Sequence, residues 1–263
     1  MPSDFSRRAR DINYSDYKQS EWRNLLLFFV TKVAAPLPIR LQRLWLRLSF
    51  LVKACYLPEQ EYLKITTNLD DLQALWYDSF STTMGDQNCT YVVHQVGAHL
   101  HNIVRKKGPL HLTNAYPFEY AYSKMRRRYK GTNNTVKQIL SNSLLEHATS
   151  THENHKCTRG VHYSAWRTSK AHDCIVYSFE DRFQIYRIEG PHPIHKDSFV
   201  AKKFVMRNFV HAATKLPFHQ VGMFQKTLPT ALTHRLLKSK ICGKVIILDN
   251  VMITVPSNIL VEI

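Results

Sequence analysis

Glycine and proline are scarce, at 8 and 11 of 263 residues, which excludes a collagen-like or low-complexity chain. Acidic residues are few beside basic ones, 20 Asp and Glu against 36 Lys and Arg. The five cysteines, at 55, 89, 157, 174 and 242, are odd in number and irregular in spacing. They outline no disulfide framework, and a reducing compartment is expected. No long hydrophobic run is present. Residues 25–30 are only six, and 41–57 is interrupted by Arg43, Arg47 and Lys53, so a bilayer span is not expected. The opening Met-Pro-Ser-Asp-Phe-Ser-Arg-Arg-Ala-Arg lacks the apolar centre of a signal peptide. Also absent are a glycine-rich phosphate loop, a dinucleotide fingerprint and the serine-hydrolase elbow. These absences together predict an intracellular chain with no membrane partner.

What is present is a folded composition, 44% hydrophobic and 21% charged, carrying a formal net charge of +16. A field of that sign attracts polyanions and speeds their encounter, and nucleic acid is the partner it fits best. The charge is uneven. Residues 61–100 hold one base, Lys64, and five acids, whereas 101–150 hold nine bases and two acids, Glu119 and Glu146. The densest run is Lys124-Met-Arg-Arg-Arg-Tyr-Lys130, with Tyr120, Tyr122 and Tyr129 around it. Lysine and arginine neutralise phosphates while aromatic rings stack on bases. Arg105, Lys106, Lys107, Lys124, Arg126, Arg127, Arg128 and Lys130 are therefore the expected nucleic-acid-binding set.

Periodicity predicts an α+β protein, helical over 1–150 and a small β-rich domain over 151–263. A helix is expected from Ser20, as its cap, to about Ala35, with Glu21 in the first turn and Pro36 and Pro38 closing it. Residues 39–57 read as a basic amphipathic helix. Leu41, Leu44, Trp45, Leu48, Leu51 and Cys55 form its apolar stripe, and Arg40, Arg43 and Arg47 lie opposite. A helix capped by Asn68 follows, with the stripe Leu69, Leu72, Trp76 and Phe80. Residues 89–107 are expected to turn Val92, Val93, Val96, His99, Leu100 and Ile103 inward, and further helices are expected over 118–130 and 133–147. After a polar, His-rich linker near 150, strands are expected at 174–179, 183–188, 204–210, 245–248 and 251–255. Asp249-Asn250 suits a hairpin turn between the last two.

Two clusters carry metal-ligand residue types. His94, His99 and His101 fall together, a pattern more typical of hydrogen-bonded core histidines than of ligands. The set His152, His155, Cys157, His162, His172 and Cys174 has zinc-binding types but no clean Cys-x₂-Cys or His-x₃-His pair. Its zinc binding is left open by the sequence.

The segment Tyr17-Lys-Gln-Ser-Glu-Trp-Arg-Asn-Leu-Leu-Leu-Phe-Phe resembles a block of the CACTA (En/Spm)-type DNA transposases of animals. Pro2-Ser-Asp-Phe-Ser-Arg-Arg before it is similar to their basic lead-in. Cys89-Thr-Tyr-Val-Val-His, Gly108-Pro-Leu, Tyr116-Pro-Phe-Glu119, Gly131-Thr132 and Gln138-Ile139 resemble their next block. Gly160-Val-His-Tyr-Ser164 and Val255-Pro-Ser-Asn258 fit the tail more loosely. The resemblance implies that the helical region is the downstream part of an RNase H-like transposase core with most of its sheet missing. It implies three acids that hold two divalent ions for in-line phosphodiester transfer, and Glu21 resembles the third of them. The other two are expected upstream of this block, so Glu21 is expected to be a vestigial catalytic acid and metal ligand. No cofactor is then expected for the chain alone. Magnesium or manganese would enter if an upstream transposase polypeptide completed the site. The resulting expectation is a transposon-derived, non-catalytic protein that binds DNA non-specifically in the nucleus. Its rivals are a transposase or nuclease activity completed by a partner or a missing upstream segment, and a protein-interaction module.

Overall fold

The computed structural model describes residues 19–65, 68–113, 126, 134–152, 163, 174–179 and 183–256. The fold is α+β, with helices preceding a seven-stranded antiparallel sheet. The helix expected over 118–130 and the linker near 150 lie almost wholly outside the described residues.

Helix α1 opens at Gln19–Asn24, widens into a π-helical stretch at Leu25–Phe29 and closes at Val30–Ala34. Ser20 is itself helical rather than the residue before the helix, and Glu21 occupies the first turn as expected. Pro36 and Pro38 stop the helix, and Pro38 is the N-cap residue of α2, Ile39–Tyr56. Pro58 then precedes a short helix, α3 (Glu59–Leu63), and α4 spans Leu69–Met84. Asn68 sits at the cap position of α4 without a side-chain hydrogen bond, so Asp70 and Asp71 alone complement its first turn. Helix α5 runs through Tyr91–His94, a π-helical Gln95–His99 and Leu100–Lys107. Its true cap is Thr90, whose Oγ1 accepts from Val93 N. Leu110–Thr113 forms α6 and Thr135–His152 forms α7.

The apolar stripe of α4 packs as read, with Leu69, Leu72 and Trp76 buried. The stripe of α2 is wider than read. Leu46, Phe50, Lys53 and Ala54 are buried along with Leu44, Leu51 and Cys55, while Trp45 is 42% exposed. The inward face of α5 is the expected one in part: Val93, Val96 and Leu100 pack against the core. Val92 and Ile103 are exposed, and Gly97, His101 and Val104 are buried. The π-helical stretch Gln95–His99 adds a residue to one turn and so offsets the faces of the helix before and after it. A regular 3.6-residue period cannot foresee that shift.

The strands are β1 Ile175–Phe179, β2 Phe183–Pro191, β3 Ser198–Phe204, β4 Met223–Gln225, β5 Pro229–Leu237, β6 Ile241–Leu248 and β7 Val251–Pro256. Their order in the sheet is β4-β7-β6-β1-β2-β3-β5. The β6–β7 hairpin pairs Leu248 with Val251 around Asp249, whose positive φ of 48° suits the predicted turn. The strand expected at 204–210 is not formed. Phe204 ends β3, Val205 and Val210 are half exposed, and Asn208 makes only an isolated bridge to Phe224.

Helices and sheet share one core. Leu44, Leu46, Phe50, Ala54 and Trp76 belong to the same buried cluster as Phe218, Met223, Ile246, Ile253 and Val255. Phe50 meets the edge of Phe218 at a centroid distance of 5.3 Å. Arg43 Nε donates to Ala213 O at 3.0 Å. Val245 and Met252, their neighbours along β6 and β7, fall in a second cluster with Tyr177, Ile185 and Phe204. Strands β6 and β7 thus contribute to buried clusters from both faces, which explains their unbroken buried runs.

Candidate functional site

Of the expected nucleic-acid-binding residues, Arg105, Lys106 and Lys107 form the exposed last turn of α5. Cations are favoured there because the helix dipole is negative at its C-terminus. Gly108, at φ 87°, ends the helix and turns the chain away. Arg126 is helical and exposed, and Lys124, Arg127, Arg128 and Lys130 lie outside the described residues. On α2, Arg40 and Arg43 are exposed. Arg47 is half-buried and donates to Ser79 Oγ at 2.8 Å. Burial, and then the neighbouring Arg43 charge, hold the Arg47 guanidinium below its usual pKa. The face read from the sequence as three equivalent arginines is therefore divided: Arg47 ties α2 to α4, and Arg40 remains in solvent.

Glu21 sits in the first turn of α1, 9% exposed, with Arg23 and Asn24 similarly buried beside it. The described residues contain no group of three His, Cys, Asp or Glu side chains placed to hold a metal ion. Among those residues Glu21 is thus not joined to two further candidate ligands.

The first histidine cluster is divided between core and surface. His101 is buried, with its Nδ1 3.1 Å from Tyr62 Oη. Its backbone N–H donates to Gln73 Oε1 at 2.8 Å, so a side chain from α4 supplies an acceptor just beyond the wide turn of α5. Asp70 Oδ1 stands 3.8 Å from its Nε2. Tyr62 is held well above the ordinary tyrosine range, first by burial and then by Cys55 and Asp70. His94 reaches Tyr77 Oη at 3.4 Å and stacks edge-on against His99. Of the second set, Cys174 is buried and His152 ends α7, and the other four residues lie outside the described ones.

One concavity among the described residues was not foreseen from the sequence. A cavity of about 980 Å³ lies between α1, α2, the Pro58 turn and the sheet. Leu27, Phe28, Tyr177, Phe183, Val221 and Phe224 supply much of its apolar wall. Lys53 projects into this wall at 6% exposure, its ammonium 5.3 Å from the centroid of the Phe28 ring. Burial pushes the Lys53 ammonium down to about 7, because a charged amine loses its hydration there. Burial likewise pushes Tyr177 well above the ordinary tyrosine range, with smaller contributions from Cys242 and Tyr163. Cys55, elsewhere on α2, is pushed up to about 12 by burial, which leaves it an unreactive thiol at neutral pH. A signal for Lys53 did exist in the sequence. It lies three residues after Phe50 and seven after Leu46, inside the widened apolar face of α2.

No protein family, curated protein or solved structure matches this chain.

Proposed function

We propose that this chain is a nucleic-acid-binding protein of CACTA-type transposase descent, non-catalytic on its own, that grips DNA without sequence preference and acts in the nucleus. The observation that carries the reading is the exposed Arg105-Lys106-Lys107 turn at the end of α5, within a chain of net charge +16. Three adjacent cations at a helix C-terminus are free to meet phosphates, and such contacts fix position without reading bases. The helical region is, in this reading, the downstream part of an RNase H-like core, and Glu21 in the first turn of α1 is a remnant of its acid set.

Binding of a duplex DNA to the full chain, followed by fluorescence anisotropy across a salt series, tests this. Affinity should fall linearly on a log–log plot, with a slope of about 0.9 for each phosphate contacted. Replacing Arg105, Lys106 and Lys107 together by Glu should weaken binding at least about tenfold at low salt and flatten that slope. Binding indifferent to salt, or unchanged in the triple variant, would overturn the proposal.

The absence of catalysis is tested separately. The purified chain, given magnesium or manganese, should leave supercoiled DNA intact. Nicking that disappears in Glu21→Gln would instead establish an active site built on that carboxylate.

A further inference from the structure

A buried ammonium with no anionic partner is a costly arrangement unless something supplies the missing charge. Among the described residues, Lys53 Nζ has no hydrogen bond or ion pair; its one close electrostatic neighbour is the Phe28 ring at 5.3 Å. It is also the only Lys or Arg among the described residues lining the cavity. Two acids, Glu59 and Glu61, also line the cavity, and neither is paired with Lys53. Glu61 accepts from Lys64 at 2.7 Å, and Glu59, beside Gln60, is exposed. The cavity therefore presents an extended apolar wall and a buried lysine, with the exposed residues Pro58, Glu59 and Gln60 along part of its lining.

We propose that this cavity is a binding site for a small hydrophobic carboxylate, such as a medium-chain fatty acid, whose carboxylate pairs with Lys53 while its apolar chain lies against Phe28, Tyr177, Phe183, Val221 and Phe224. At about 980 Å³, the space matches the upper end of the volumes usual for small-molecule pockets. One lysine matches one carboxylate. A phosphoryl group draws on several donors, such as a helix N-terminus or paired arginines, and among the described residues the lining includes no arginine. Against Leu27, Phe28, Phe183, Val221 and Phe224 the hydroxyls of a sugar would find no partners, whereas an alkyl chain needs none. Lowered basicity at Lys53 agrees with a site whose ammonium is completed by its ligand. The proposal is independent of the DNA-binding reading, since Lys53 and the α5 terminus share no element.

The test is isothermal titration of the full chain with dodecanoate and with dodecanol, an uncharged molecule of the same chain length. Wild-type protein should bind dodecanoate about tenfold or more tightly than dodecanol, as a desolvated charge pair requires. Lys53→Met should keep the alcohol affinity and lose the preference for the acid. Met206→Trp, which fills the cavity from a residue beyond β3, should lose both ligands and serves as a second variant should Lys53→Met not fold. Equal binding of acid and alcohol by the wild type, no binding of dodecanoate, or an acid preference that survives in Lys53→Met would each overturn the proposal. So would undiminished binding in Met206→Trp.

Discussion

An ammonium moved from water to an apolar wall loses its hydration, and at Lys53 the protein responds by lowering basicity from 10.5 to about 7. The unfolded chain then binds more protons than the folded one between those values. Stability therefore rises with pH through that window, and the full penalty of the charged lysine is felt below about pH 7. Its size is on the order of 5 kcal/mol, from the free energy attached to each pH unit of displacement. Lys53→Met, which keeps the volume and removes the charge, should be the more stable protein at pH 7, and its advantage should shrink steadily toward pH 10. Urea unfolding of both proteins across that range measures the difference directly. A gap that stays constant with pH would show that Lys53 is solvated in the folded state. Residues such as Lys53 escape a sequence reading because a lone lysine at a helical position is ordinarily solvent-facing. Only the depth of the surrounding apolar face makes it an exception. Glu21 shows the opposite: its place in the first turn of α1 was legible from the local pattern, whereas its 9% exposure depends on neighbours the pattern does not name.

Helix α5 shows what an element can hide from its own sequence. Val93, Val96 and Leu100 pack inward as a regular helix places them, but Val92 and Ile103 are exposed, and the buried positions in and after the π-helical stretch Gln95–His99 are Gly97, His101 and Val104. Gly97 sits where α5 passes Tyr77 of α4 so closely that an added Cβ would overlap the Tyr77 ring. Gly97→Ala should consequently destabilise the protein by about 1–3 kcal/mol, although alanine is the better helix former. Chemical denaturation would show a lower midpoint with an unchanged slope. The double variant Gly97→Ala, Tyr77→Ala should cost less than the sum of the two single changes, because the ring that obstructs the new methyl is gone. Additive costs would mean that the two helices part without strain at this point. Strands show the same division between legible and hidden. The β6–β7 hairpin was readable from two apolar runs around Asp249-Asn250. Strand β5 was not, because an edge strand pairs on one side only and tolerates a leading proline and outward polar residues such as Thr233. Strand β3 was missed for a related reason: Lys202 and Lys203 interrupt its apolar alternation, and one of them, Lys203, lies over the Tyr186 ring of β2.

At the scale of the whole molecule, the shift in composition near residue 150 suggested a helical region and a separate β-rich one. The buried cluster that joins Leu44, Leu46, Phe50 and Trp76 to Phe218, Met223, Ile246, Ile253 and Val255 crosses that line. A hydrophobic core is the cooperative unit of a small protein, so elements that share one gain and lose their stability together. The cavity that holds Lys53 has the same origin: helix and sheet residues more than a hundred positions apart form its walls, and for that reason no local motif announced it. Two consequences follow from the shared core. Denaturant unfolding of the full chain should give one transition by both far-ultraviolet and near-ultraviolet signals, since helices and sheet unfold as one unit. Residues 151–263 made alone should lack a fixed tertiary structure, because Ile246, Ile253 and Val255 would lose the helices that cover them and leave one face of β6 and β7 in water. Such a fragment should bind hydrophobic dyes and give poorly dispersed amide resonances. A dispersed spectrum from that fragment, with amides along β6 and β7 protected from exchange, would mean that the sheet carries a sufficient core of its own from its other face, where Val245 and Met252 pack with Tyr177 and Ile185. The helices would then be an attached layer, and the Lys53 cavity would be a joint between two folding units.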